Sequence, residues 1–257
     1  MEFEETVDIM PMYTQKRLTA NTLKIIAVAA MTVDHLTWLL LPGYRTDILT
    51  LSLHAIGRLT APIMMFFIAE GFHCTKNIKK YILRLFLFAF IAHFAYAMLF
   101  AKSFIPFQHT VFDQTSVLWT FALGLVALAV TKSENAKLKP WHRQAIVWVC
   151  IIAAFCADWS SPAAVIILYI GINRGDFKKQ MLWFMIWIAM YAIVYAIFLN
   201  PVYGALQMLT ALAVPLLHGY NGQRGKLKWK GMKWFFYIYY PAHLFVLGAI
   251  RILILSR

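Results

Sequence analysis

Apolar runs of helical length recur from residue 23 nearly to the end of the chain, and what separates them is short, turn-forming or basic. Nine runs stand out, at about 23–41, 53–73, 81–101, 115–131, 144–158, 161–172, 181–199, 202–217 and 235–254. A helix needs roughly 17–25 residues to cross a bilayer. The fifth and sixth runs are short and close together around Asp158–Trp159–Ser160–Ser161–Pro162. They read either as two spans or as one tight or broken hairpin. The expectation is therefore an all-α, polytopic transmembrane helical bundle of eight to nine spans. With 61% hydrophobic residues spread along 257 positions, a soluble enzyme on a single anchor is excluded. Breakers fall where turns are needed: Pro42–Gly43, Pro140, Pro162, Asn173 with Gly175, Asn200–Pro201 and Asn221–Gly222. Residues 1–22 form a polar N-terminal segment, and 23–257 form the bundle. No removable signal peptide is expected, because the first apolar run is long enough to stay as a span.

The charge pattern supplies an orientation. Basic residues gather in the leading segment (Lys16, Arg17, Lys24) and in alternate connections. These are Lys76, Lys79, Lys80 and Arg84; Lys132, Lys137, Lys139 and Arg143; Arg174, Lys178 and Lys179; and Arg224, Lys226, Lys228, Lys230 and Lys233. The other connections hold only Arg45 and Lys102. Basic connections stay cytoplasmic. The pattern predicts a cell-membrane protein, inner or plasma, with its N-terminus inside and its C-terminus outside. It also accounts for the net charge of +13 without any nucleic acid partner. Cys74, Cys150 and Cys156 have no metal spacing and read as packing thiols.

Ionisable groups at bilayer depth are costly and tend to face a protein interior or a wet cavity. Asp34 and His35 stand inside the first run, and Arg58 lies near the outer end of the second. His93 falls in the outer half of the third, and His243 lies near the middle of the last. His35 is the candidate base, since imidazole exchanges protons near neutral pH. Asp34 and His35 project about 100° apart on a helix, so Asp34 either orients His35 or pairs with Arg58. Arg58 can hold an oxyanion, phosphate or carboxylate, or can snorkel to the interface. Gly57 permits close helix approach beside it, and Pro62 can kink the span. Glu70, near His73 at the inner end of span two, reads as a base or as a cap on the basic connection. Lys76, Lys80 and Arg84 make a basic mouth that attracts phosphate, or simply the topology signal. His243 stands among Tyr237, Tyr239, Tyr240 and Pro241, where a broken helix and aromatic rings suit a ligand. Histidines at these spacings do not make a metal site, and none is expected.

Four segments carry a family resemblance: Leu23–Lys24–Ile25–Ile26–Ala27 through Met31–Thr32–Val33–Asp34–His35; Ile56–Gly57–Arg58–Leu59–Thr60–Ala61–Pro62 through Glu70–Gly71–Phe72–His73–Cys74–Thr75–Lys76–Asn77; Lys80–Tyr81–Ile82–Leu83–Arg84–Leu85; and Phe236–Tyr237–Ile238–Tyr239–Tyr240–Pro241–Ala242–His243–Leu244. Together they resemble the TraX family, whose namesake acetylates the N-terminus of conjugative F-type pilin. Trp119–Thr120–Phe121–Ala122–Leu123–Gly124 is similar to a further family helix.

The resemblance implies a membrane-bound acetyltransferase that takes acetyl-CoA from the cytosol and acetylates an amine, such as a peptide N-terminus, or a hydroxyl. His35 would then be the base, supported by Asp34, and Arg58 the anion or oxyanion contact. Lys76, Lys80 and Arg84 would attract the donor's phosphates, and Tyr240 and His243 would line the site. Glu70 and His93 are the residues placed toward the acceptor. Two rivals stand beside this reading. A proton-coupled transporter or exporter would use Asp34, His35, Glu70 and His93 as a relay, although the two halves show no convincing repeat. A non-catalytic assembly factor would use the same buried polar groups for helix packing alone.

Overall fold

The computed structural model describes residues 17–100, 105, 114–134, 138–225 and 231–255, and these are helical without strands. Eleven α-helices follow in order: α1 (Ala20–Leu40), α2 (Ile48–Gly57), α3 (Thr60–Cys74), α4 (Ile78–Phe100), α5 (Val117–Thr131), α6 (Pro140–Ala153), α7 (Ser160–Ile172), α8 (Phe177–Phe198), α9 (Pro201–Gln207), α10 (Ala213–His218) and α11 (Met232–Leu255). α2 and α3 make one bent path, as do α9 and α10 through the 3-10 turn Met208–Leu212. The first bend has a local cause. Pro62 has no N–H for the carbonyl of Arg58, four residues back, and the helix loosens at Arg58 and Leu59.

Nine apolar helical segments result, at the places the hydropathy marks. Six are long and apolar enough to cross a membrane: Ala20–Leu40, Ile48–Cys74, Ile78–Phe100, Phe177–Phe198, Pro201–His218 and Trp234–Ile254. The chain is a multi-pass membrane protein. Val117–Thr131, Pro140–Cys156 and Ser160–Ile172 are shorter. The 13 residues of α7 rise only about 20 Å, against a hydrocarbon core of about 30 Å. The fifth and sixth runs are distinct helices, not one hairpin arm, and meet at Ala157–Trp159.

α5 and α7 pack on each other near the centre, where Ala163 to Leu168 are buried without a break. Gly171 makes this approach possible, since a Cβ there would meet Leu128 Cδ2 at 2.3 Å. Around this pair, α4 runs beside α11, α1 contacts α2, α3 and α11, and α8 contacts α9. Exposed apolar residues such as Leu83, Phe90, Trp148, Ile193 and Phe245 give the bundle a surface suited to lipid. Side chains cap the helices where they leave it. Thr19 accepts from the Thr22 N–H, Asp47 from Thr50, Asp176 from Lys179 and Asn200 from Val202.

Candidate active site

The polar residues of α1 are split between two neighbours. Asp34 turns toward α2, and His35 turns toward α11. Asp34 Oδ1 accepts from His54 Nδ1 at 2.8 Å and from Arg58 Nη2 at 3.2 Å. Arg58 Nη1 donates to Gln207 Oε1 at 3.0 Å, which ties the bend between α2 and α3 to the end of α9. The guanidinium lies 5.4 Å from the centre of the Trp159 ring. Gly57 is what lets Asp34 reach α2, because a Cβ there would stand 2.3 Å from Oδ1. His54 is fully buried between Trp38 and Tyr203, with ring centres 4.6 and 5.7 Å away. Its Nε2 has no hydrogen-bond partner among the described residues, and the Asp34 carboxylate accepts, so Nδ1 is the donor toward Asp34.

His35 belongs to a different chain of contacts. Its Nδ1 is 2.7 Å from His243 Nε2, and the two rings are within 10° of parallel. His243 Nδ1 lies 2.9 Å from the Tyr239 carbonyl oxygen. A carbonyl only accepts, so His243 carries its proton on Nδ1 and, when neutral, offers a lone pair at Nε2. His35 must then donate from Nδ1. Its own Nε2 is left with a lone pair. Phe100 and Tyr240 flank the ring.

Both groups border a cavity of about 400 Å³. Asp34, His35, Arg58, Gln207 and Tyr240 line it, together with Trp38, Tyr96, Tyr191, Tyr195 and Trp159. Its wall takes residues from the connections at one end of the bundle, among them Tyr44, Gln114, Asp158 and Leu199. None of the described residues in the basic connections at the other end lines it. Backbone strain marks the rim. Trp159 and Ser160 adopt left-handed φ values of 62° and 50°, costly for residues with a Cβ and sustained by surrounding contacts. The Trp159 N–H donates to Asp158 Oδ1 at 2.9 Å, and the Thr120 hydroxyl to the Asp158 carbonyl at 2.9 Å.

Other expected site residues are placed elsewhere. His93 Nδ1 meets Thr115 Oγ1 at 2.7 Å, at the junction where Thr115 also pairs with Ala157, and it does not line the cavity. Glu70 is held by Arg174 at 2.8 and 3.0 Å at the basic end. Lys76 and Lys80 are exposed there, and Arg84 stacks over Tyr81 and Tyr237. Glu70, Lys76, Lys80 and Arg84 are not brought to His35, because α3 and α4 carry them to the opposite end of the bundle, whereas His93 stays at the cavity's end but is turned toward Thr115. Among the described residues, no group of three His, Cys, Asp or Glu could hold a metal. His54 and Gln207 are the additions that sequence reasoning missed. His54 stands four residues before Arg58, on the same helical face, which is a legible signal. Gln207 offered only its polarity within an apolar run.

Residues 19–251 match the family described as TraX protein. This chain belongs to the TraX family. It is also 31% identical over 243 residues to the probable fimbrial assembly protein FimC, serogroup H1, of Dichelobacter nodosus, covering 91% of this chain and 96% of that one. No solved structure matches. Every cavity residue named above falls within the TraX match.

Proposed function

We propose that this TraX-family protein is an integral-membrane acetyltransferase, moving an acetyl group from acetyl-CoA to an amine or hydroxyl acceptor. The observation that carries the reading is the His35–His243–Tyr239 relay, which leaves an imidazole lone pair on a residue lining the cavity. The acceptor's nitrogen or oxygen attacks the thioester carbonyl, and its proton passes to His35 Nε2. The resulting oxyanion faces Arg58, whose Nη1 keeps an N–H beyond the one given to Gln207. Collapse breaks the C–S bond, and the departing thiolate takes the proton back from His35. A general base of this kind contributes about 10²–10⁴-fold. The basic connections face the cytosol in this reading, which places the N-terminus inside and the donor on that side.

His35→Ala should lower transfer from labelled acetyl-CoA by at least about 10²-fold while the purified protein keeps its unfolding temperature. His243→Phe should weaken it less, because the base survives but its tautomer is no longer imposed. Turnover at the wild-type rate in His35→Ala rejects the assignment. The relative's name favours a second reading, a membrane assembly factor without chemistry. In that case His35→Ala would leave assembly of the surface appendage intact wherever the protein still folds.

A further inference from the structure

At the basic end, Lys24 poses a separate question. It is a half-buried lysine on α1, and its ammonium lies 5.0 Å from the Phe67 ring centre and 5.6 Å from that of Phe236. Among the described residues no carboxylate or carbonyl accepts from it. Glu70 and Asp176, acids at the basic end, are engaged by Arg174 and by Lys179. Arg224, a charge of the same sign, is brought beside this turn of α1 by the backbone. The backbone pins the two together. Ala20 N–H donates to the Gln223 carbonyl at 2.9 Å and Asn21 N–H to the Arg224 carbonyl at 3.1 Å. Those bonds also occupy the first N–H groups of α1, so an anion here would be met by side chains. A half-buried ammonium with no anion to pair it among the described residues, and a second cation on the adjoining backbone, form an incomplete site.

Its position gives the site a use. Phe236 touches the Lys24 ammonium on one side and lines the cavity on the other. Ala27 and Val28, the next turn of α1, line the cavity as well. Lys24 and His35 are eleven residues apart on one helix, about 16 Å. We infer that Lys24, with Arg224 beside it, holds a phosphate group of the acyl donor at the basic end, so that the donor's arm passes Phe236 and presents its thioester near His35. This rests on the acetyl-transfer reading and moves the phosphate contact from Lys76, Lys80 and Arg84 to the half-buried Lys24 with the exposed Arg224 beside it. Lys24 is a binding residue here, remote from the reacting atoms.

The test is a titration of the full chain in nanodiscs of phosphatidylcholine alone, with CoA and with pantetheine, which lacks the phosphates. Wild type should bind CoA at least about tenfold more tightly than pantetheine, and added salt should weaken the CoA term. Lys24→Met should erase the difference, and Lys24→Arg should keep most of it. If Lys24→Met binds CoA as wild type does, the inference is overturned. Wild type that fails to distinguish CoA from pantetheine overturns it too, and needs no variant to fold. A lipid phosphate is the other source of the same chemistry. In that case Lys24→Met keeps its CoA affinity and loses thermal stability only in discs containing phosphatidylglycerol, which also overturns the inference. CoA binding that depends on Lys24, without any transfer of labelled acetyl, would retain the site and reject the acetyltransferase.

Discussion

Asp34 and His35 are adjacent on α1 yet belong to assemblies that differ in kind. Asp34 is fully partnered: its carboxylate faces Arg58 and His54, and Arg58 is in turn held by Gln207. His35 is open: one nitrogen is committed to His243, and the other keeps its lone pair. A paired buried charge mainly holds helices in one arrangement, and removing one partner strands the other in a poor solvent. An imidazole with a directed lone pair at a cavity wall can exchange a proton. One turn of helix thus supports a structural lock and a reactive group, because successive side chains point about 100° apart.

That contrast can be broken by experiment. Arg58→Ala should produce the largest loss of stability, about 3–5 kcal/mol by thermal unfolding in detergent, because Asp34 is left buried without its cation. Replacing both Asp34 and Arg58 with apolar residues should cost less than the single change, which a double-mutant cycle would show. Turnover should fall as well, since Arg58 faces the oxyanion in the proposed reaction; if Arg58→Ala unfolds like wild type and only turnover is lost, the pair is no structural lock. Gly57→Ala should cost less, about 1–3 kcal/mol, since its methyl group would displace the Asp34 carboxylate. His35 should keep its contact with α11 in that variant, measurable as residual acetyl transfer in the protein that stays folded.

The smallest effect concerns how α2 is started. Thr50's backbone N–H, then its hydroxyl, and then Arg45 hold the Asp47 carboxyl down to about 2, from an ordinary value of 3.8. A depressed pKa gives stability that is complete above the ordinary value and is lost as pH falls through about 2. The gap in unfolding temperature between wild type and Asp47→Ala should therefore shrink between pH 4 and pH 2. A gap that stays constant over that window would show that the carboxylate's bonds to Thr50 and Arg45 do not stabilise the start of α2.

Much of the architecture was readable in the chain. The apolar runs and their breakers placed nine helical segments, since hydropathy and turn chemistry are local properties. The Asp34–Arg58 pairing was one of two open readings, and geometry chose it because Gly57 brings α2 against α1. Glu70 and His93 carried the same kind of signal as His35, a titratable group in an apolar run, and were sent elsewhere. Arg174 and Thr115, their partners, come from distant parts of the chain. Lys24 read only as part of the basic pattern until Phe67 and Phe236 were seen to enclose it.

By itself the sequence determined that this chain is a helical membrane bundle, which titratable residues fall inside its apolar runs, and which connections are basic. Those follow from composition and periodicity along a single strand of sequence. The tertiary structure decided which titratable groups meet, which nitrogen of His35 is left free, and that the cavity lies toward the end away from the basic connections. Those depend on contacts between helices far apart in the chain, and no local pattern encodes the partner of a buried polar group.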